Sequence, residues 1–147
     1  MPASMSPALA PAPPASPTPF RHTLRVYWED TDAGGVVFYA NYLKFFERAR
    51  TEWLRALGFG QQALRERTGA LFVVTDTRVR YLAPARLDDL IEVTVNLRAG
   101  GKASMTLVQE AWRGDTLLAE GEIRIGCVDE GTFRPRRIPT ELMNTIA

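Results

Sequence analysis

One amphipathic segment constrains this fold more than any other part of the sequence. Within residues 41–57, large apolar residues recur every three or four positions, and charged or polar residues occupy most of the positions between them. The apolar positions are Tyr42, Phe45, Phe46, Ala49, Trp53, Ala56 and Leu57. This spacing predicts a helix with a bulky apolar stripe, with Asn41 as its N-cap and Gly58 just past its end.

Strand-like segments lie on both sides of this helix. Alternation of apolar and polar residues predicts a first strand over 23–28. After a short helix near 61–67, further strands are expected over 71–81, 90–98, 103–112 and 116–128, with breaks at segments that contain glycine or proline. The helix and a mainly antiparallel sheet must cover each other's apolar faces. The sequence therefore predicts an α+β fold in which a curved sheet of about five strands wraps one long helix.

The first 19 residues have a different composition. Seven of the ten prolines lie there, and the segment contains no lysine or arginine. Proline fixes a backbone that helices cannot use and removes hydrogen-bond donors, so we expect a disordered Pro/Ala-rich tail over 1–19 rather than a signal peptide. A Pro-rich arm that binds a partner is the alternative. The remaining residues, 20–147, form the single expected domain.

Composition excludes several classes of function. The formal net charge is +1, too small to draw the chain to nucleic acid or to an anionic membrane. No apolar run is long enough to cross a bilayer. Cys127 is the only cysteine, so no intrachain disulfide can form. A reducing cytoplasm fits this, and so does a secreted protein without disulfides.

Catalytic machinery built on histidine or serine is also excluded. His22 is the only histidine and Ser104 the only serine of the expected domain, so neither a Ser-His-Asp triad nor a Cys/His metal site can be assembled. The Gly-Gly-Lys at 100–102 lacks the other residues of a phosphate-binding loop. Any catalysis must therefore depend on carboxylates and backbone amides, with no metal ion.

The segment 29–42, EDTDAGGVVFYANY, combines these groups. Asp32 precedes a glycine pair that forms a turn, and the predicted helix begins just beyond it. Amides near Tyr39, Ala40 and Asn41 would lie unpaired at the positive end of that helix, where they can hold a carbonyl oxygen. A carboxylate beside such an oxyanion hole can hydrolyse an acyl group, either as nucleophile or as general base. The alternative is an acidic turn that only caps the helix.

This segment resembles the signature of the hotdog thioesterase superfamily, in its hydroxybenzoyl-CoA thioesterase branch. The run 25–54 is most similar to the Tol-Pal-associated acyl-CoA thioesterases, and the similarity continues in 81–89 and 127–129. The resemblance implies a hotdog fold and hydrolysis of acyl-CoA to free acid and CoA in the cytoplasm. It also implies a homotetramer of two hotdog dimers, an active site between subunits, and no cofactor beyond the CoA of the substrate.

By the same resemblance, Asp32 is the catalytic carboxylate and the amide of Tyr39 is the oxyanion donor. Many Tol-Pal-associated members carry histidine in place of Tyr39, whereas the aromatic thioesterases carry tyrosine, which favours an aromatic acyl group. We expect substrate and CoA to contact Gly35, Val36, Asn41, Glu47, Arg98, Lys102 and Arg134, with the basic residues binding phosphate. For Glu47, the alternative is an ion pair with an arginine.

Two other functions fit the sequence. A thioesterase acting on acyl carrier protein would receive a phosphopantetheine arm without the nucleotide, and its activity would depend little on Lys102 and Arg134. A non-catalytic acyl-binding or scaffold subunit of an envelope-associated complex would use Asp32 only structurally. Hydrolysis of a broad panel of thioesters separates these functions, because the scaffold subunit would hydrolyse none of them.

Overall fold

The computed structural model describes residues 19–146. Its helices are α1 (Asn41–Ala56), α2 (Gln61–Thr68) and α3 (Thr140–Ile146), and its strands are β1 (Phe20–Arg25), β2 (Ala70–Tyr81), β3 (Leu90–Gly100), β4 (Ser104–Arg113) and β5 (Thr116–Asp129). Residues 1–18 of the predicted tail, together with the alternative of a partner-binding arm there, lie outside the described residues. No helix within 19–146 is both long and apolar enough to span a bilayer.

The five strands form one antiparallel sheet in the order β1-β3-β4-β5-β2. Helix α1 lies on one face of this sheet, with Phe45 and Phe46 fully buried against the strands. A Cβ atom at Gly121 of β5 would lie only 2.8 Å from the ring of Phe46, so the absence of a side chain there lets the helix approach the sheet. The predicted α+β architecture of one long helix and five strands is confirmed.

The observed ends of the long helix and of the later strands agree well with the ranges that the sequence periodicity predicts. The long helix ends one residue before its predicted end, and Gly58 follows it with a φ of +91°, a conformation that glycine adopts without strain. Each of the four later strands lies within two residues of its predicted range. Helix α3 was not predicted; its buried Leu142 packs in the core.

Two predictions about the start of the domain are wrong. The first strand ends at Arg25, and the chain then forms a 3-10 turn at Trp28–Asp30, so Trp28 is 82% exposed rather than part of a strand face. Asn41 is not the N-cap of α1, because Ala40 holds that position and makes no side-chain capping bond. The buried side chain of Asp30 accepts hydrogen bonds close to both positions, from the amide of Tyr27 and from Nδ2 of Asn41.

Candidate active site

Asp30 fixes the loop between β1 and α1 at both of its ends. Its side chain is 4% exposed. Oδ2 accepts a hydrogen bond from the amide of Tyr27 at 2.8 Å, and Oδ1 accepts one from Nδ2 of Asn41 at 2.7 Å. The carbonyl of Asp30 also accepts the amide of Phe38 at 2.9 Å. One buried carboxylate therefore holds the start of α1 against the end of β1 and orients the residues between them.

Asp32 lies on this loop with one oxygen fixed and the other free. Its Oδ1 accepts a hydrogen bond from the amide of Gly34 at 2.8 Å, and its own amide donates to the carbonyl of Val36 at 2.9 Å. Gly35 closes the turn with a φ of +81°, a region that favours glycine. Oδ2 makes no hydrogen bond with any residue of 19–146, and the residue is exposed. The turn thus orients a carboxylate that can react with a bound molecule.

The start of α1 offers unpaired amides. The amide of Asn41 donates to the carbonyl of Phe38 at 2.8 Å, whereas the amides of Tyr39 and Ala40 donate to no acceptor within the described residues. These two amides lie at the positive end of a helix of 16 residues. They can hold the oxygen of a polarised carbonyl group.

Aromatic side chains cover the mouth of the site. The hydroxyl of Tyr81 donates to the carbonyl of Tyr39 at 3.0 Å, and the Tyr81 ring lies edge-on to the rings of Tyr39 and Tyr42. Burial raises the pKa of Tyr42 and of Tyr81, so both phenols are neutral at physiological pH. A cavity of about 290 Å³ lies here, lined by Val37, Tyr39, Tyr42, Tyr81, Leu82, Ala83 and Pro84. This lining suits an apolar or aromatic group.

The structure gathers only some of the predicted site residues around Asp32. Gly35, Val36 and the amide of Tyr39 belong to the same loop. The side chain of Asn41 is buried, and its Nδ2 donates to Asp30, so it helps to position the loop. Glu47 lies further along α1, where it lines two cavities and forms no salt bridge within the described part of the chain.

The predicted basic residues lie at the other end of the sheet. Arg25 at the end of β1 pairs with Leu90, and Arg98 lies eight residues beyond Leu90, a distance of about 26 Å along β3. Arg98 forms an ion pair with Glu122. Lys102 follows β3, and its carbonyl accepts the amide of Ile138, so Lys102 and the segment containing Arg134 share this end. Within one chain, these residues are not brought to Asp32.

Two residues that line the cavities along α1 were not predicted as site residues. Tyr81 ends β2, and nothing in the strand pattern indicates that its hydroxyl bonds to the loop. Arg50 occupies the apolar stripe of α1, yet it is buried and lines the same two cavities as Glu47. Both depend on tertiary contacts. No group of three or more His, Cys, Asp or Glu side chains in residues 19–146 is arranged to hold a metal ion.

Comparison with known proteins identifies related chains. The sequence profile described as "Thioesterase-like superfamily" matches residues 26–146. The acyl-CoA thioester hydrolase YbgC of Escherichia coli O6:H1 is 46% identical over 127 residues, which cover 86% of this chain and 94% of that protein. The 1,4-dihydroxy-2-naphthoyl-CoA hydrolase of Thermosynechococcus vestitus is 35% identical over 82 residues, 55% of this chain and 56% of that protein. A probable thioesterase from Bartonella henselae superposes with a TM-score of 0.76 at 33% identity, covering 81% of this chain and 98% of that structure.

Proposed function

The chain belongs to the thioesterase-like superfamily, and from that premise we propose that it hydrolyses acyl-CoA thioesters with Asp32 and the amides at the start of α1. The observation that supports this proposal is that one loop contains both the carboxylate of Asp32 and the unpaired amides before α1. Oδ2 of Asp32 and the amides of Tyr39 and Ala40 make no hydrogen bonds within residues 19–146. The relative with 46% identity acts, by its name, on acyl-CoA thioesters.

The chemistry requires a carboxylate and an oxyanion hole. The thioester carbonyl oxygen binds the amides of Tyr39 and Ala40, which stabilise the negative charge that develops on it. Asp32 then either attacks the carbonyl carbon, expelling the CoA thiolate and leaving a mixed anhydride for water to cleave, or removes a proton from the attacking water. In both cases water supplies the oxygen of the acid product and CoA leaves as the thiol. No metal or redox cofactor takes part.

An aromatic acyl group suits the cavity beside these amides. Tyr39, Tyr42 and Tyr81 line it, and aromatic groups pack favourably against one another in edge-to-face arrangements. The relative from Thermosynechococcus vestitus acts, by its name, on a naphthoyl thioester. We therefore favour an aromatic acyl-CoA over a short aliphatic one.

The active unit in this proposal contains more than one chain. Strand β2 is an edge strand of 12 residues, and an unpaired edge of this length readily pairs with another strand. Because Lys102 and Arg134 lie far from Asp32 of their own chain, a second copy would have to supply them to the CoA phosphates. We propose dimers joined through β2 and paired into a homotetramer, in the cytoplasm, as in the Tol-Pal-associated thioesterases that the sequence resembles.

The role of the basic residues can be tested with two thioesters that differ in the nucleotide. In the variant Lys102→Ala/Arg134→Ala we expect KM for acyl-CoA to rise about tenfold, since two phosphate contacts are lost, and KM for the same acyl-pantetheine to stay unchanged. Arg55→Ala is the matched control, because Arg55 is exposed on α1 and paired with Glu52. Steady-state hydrolysis with both thioesters and with acyl-carrier protein gives the comparison.

Two other outcomes of this experiment would indicate a carrier-protein thioesterase or a non-catalytic subunit. Higher kcat/KM on acyl-carrier protein, with no effect of the double variant on acyl-CoA, would indicate a carrier-protein thioesterase. Absence of hydrolysis for every thioester by the assembled wild type would contradict the proposal and favour an acyl-binding or scaffold subunit of an envelope-associated complex.

A further inference from the structure

The turn that presents Asp32 is part of a short hairpin over residues 31–37, called here the catalytic hairpin. The amide of Asp32 donates to the carbonyl of Val36 at 2.9 Å, and Thr31 forms an antiparallel β-bridge with Val37. The carbonyl of Val36 thus holds the backbone of residue 32, from which the carboxylate reaches a bound thioester. A displacement of Val36 or Val37 therefore displaces the carboxylate as well.

A third stretch of chain pairs with the outer side of this hairpin. The amide of Val37 donates to the carbonyl of Ala85 at 2.8 Å, and Val36 forms an antiparallel bridge with Arg86. Ala85 is fully buried, so water cannot take over this hydrogen bond when it is lost. Residues 84–89, called here the support segment, therefore hold the catalytic hairpin in place from outside.

One cation from the main sheet fixes the support segment. Arg113 ends β4, and its Nη1 donates to the carbonyl of Pro84 at 3.0 Å and to Oδ2 of Asp89 at 2.9 Å. The same Oδ2 accepts the amide of Arg86 at 2.8 Å. Both side chains of the ion pair are partly buried, which strengthens their attraction relative to a pair in open solvent. Arg113 and Asp89 therefore hold the support segment on both sides of Ala85.

Backbone hydrogen bonds anchor the chain on either side of this ion pair. Before the support segment, the amide of Leu82 donates to the carbonyl of Leu118 at 2.8 Å. At its far end, the amide of Val26 donates to the carbonyl of Asp89 at 2.9 Å. Loss of the ion pair should therefore leave the fold in place and release the part between these anchors, which is the part that pairs with the catalytic hairpin.

We propose that Arg113 and Asp89 are positioning residues that act on catalysis through Asp32. In this proposal neither side chain touches the substrate. They fix the support segment, and the support segment fixes the hairpin from which the carboxylate acts. Because a displacement of about 1 Å at the reacting group can cost about 100-fold in rate, a small shift of this hairpin is enough to slow the reaction. The inference rests on the proposed function and adds to it two residues outside the catalytic loop.

Kinetic coupling to Asp32 tests this inference on the assembled full-length protein. We expect Arg113→Gln to lower kcat for the preferred acyl-CoA about thirtyfold. Arg113→Lys should stay within about threefold of the wild type, because the ammonium group can still donate to Asp89. In the Asp32→Asn background, Arg113→Gln should change the residual kcat less than about twofold, since the group that it positions is already gone. A residue that only stabilised the fold would lower activity by the same factor in both backgrounds.

Asp89→Ala is a second variant that removes the same ion pair from its other side. It should lower kcat about as much as Arg113→Gln does, and the double variant should lose little more than either single variant. Size-exclusion chromatography and circular dichroism compare assembly and fold.

Arg21→Gln is the control, because Arg21 forms an exposed ion pair with Glu92 outside the support segment, and it should leave kcat unchanged. Wild-type kcat in Arg113→Gln, or equal losses with and without the Asp32 carboxylate, would overturn this inference and leave the proposed function standing. Failure of both Arg113→Gln and Asp89→Ala to fold would also overturn it, because the backbone anchors would then not maintain the fold. A wild type that hydrolyses no thioester would overturn the inference and the proposed function together.

Discussion

We expect Asp32→Asn to lower kcat for the preferred acyl-CoA about 10³-fold without changing fold or assembly. Asparagine has nearly the same shape, and its Oδ1 can still accept the amide of Gly34, so the turn is retained. What disappears is the charged oxygen that attacks the thioester or takes a proton from water. The measurement is steady-state release of CoA, with size-exclusion chromatography to compare the assembly.

Asp115→Asn is the matched control for this variant. Asp115 is exposed in the two-residue turn between β4 and β5, so the same chemical change there should leave kcat unchanged. If Asp32→Asn retains kcat within about threefold of the wild type, Asp32 is neither the nucleophile nor the general base. The loop would then be structural.

Asp30→Ala should cost about 3 kcal/mol of unfolding free energy and most of the activity. The substitution leaves the partly buried amide of Tyr27 and the buried Nδ2 group of Asn41 without their acceptor. Because the same carboxylate holds the loop that presents Asp32, its loss should also misplace the catalytic carboxylate. Chemical denaturation gives the stability, and thioester hydrolysis gives the activity.

A double-mutant cycle isolates the contact between Asp30 and Asn41. If their hydrogen bond stabilises the start of α1, the loss in Asp30→Ala/Asn41→Ala should be smaller than the sum of the two single losses. Additive losses would show that the two side chains act independently. An unfolding free energy of Asp30→Ala equal to that of the wild type would contradict the role of Asp30.

Local periodicity predicted the long helix and the later strands but not the conformation of the loop that follows the first strand. The long helix and the four later strands each carry their own pattern over ten or more residues. The first strand was extended too far because Val26 and Trp28 continue its alternation. In the folded chain, the amide of Val26 bonds instead to the carbonyl of Asp89, a residue far away in sequence. No local pattern could show that contact.

The site was predictable where its parts are neighbours in sequence. Asp32 and the amides near Tyr39 share one segment, so a turn followed by a helix start indicated their relation. The role of Asn41 was predicted wrongly, because its side chain bonds to Asp30, 11 positions earlier, instead of capping its own helix. The buried hydrogen bond of Arg50 to Gln109 was not predicted, because the two residues are 59 positions apart. Such partners are set by packing, which the periodicity of one segment does not encode.

The position of the thioester carbonyl tests the central claim most directly. A crystal structure of Asp32→Asn with its preferred acyl-CoA, bound intact, would locate that oxygen. The account predicts the oxygen about 3 Å from the amide nitrogen of Tyr39 or Ala40, with the carbonyl carbon facing residue 32. A carbonyl oxygen bound elsewhere, with both amides left to solvent, would contradict the account.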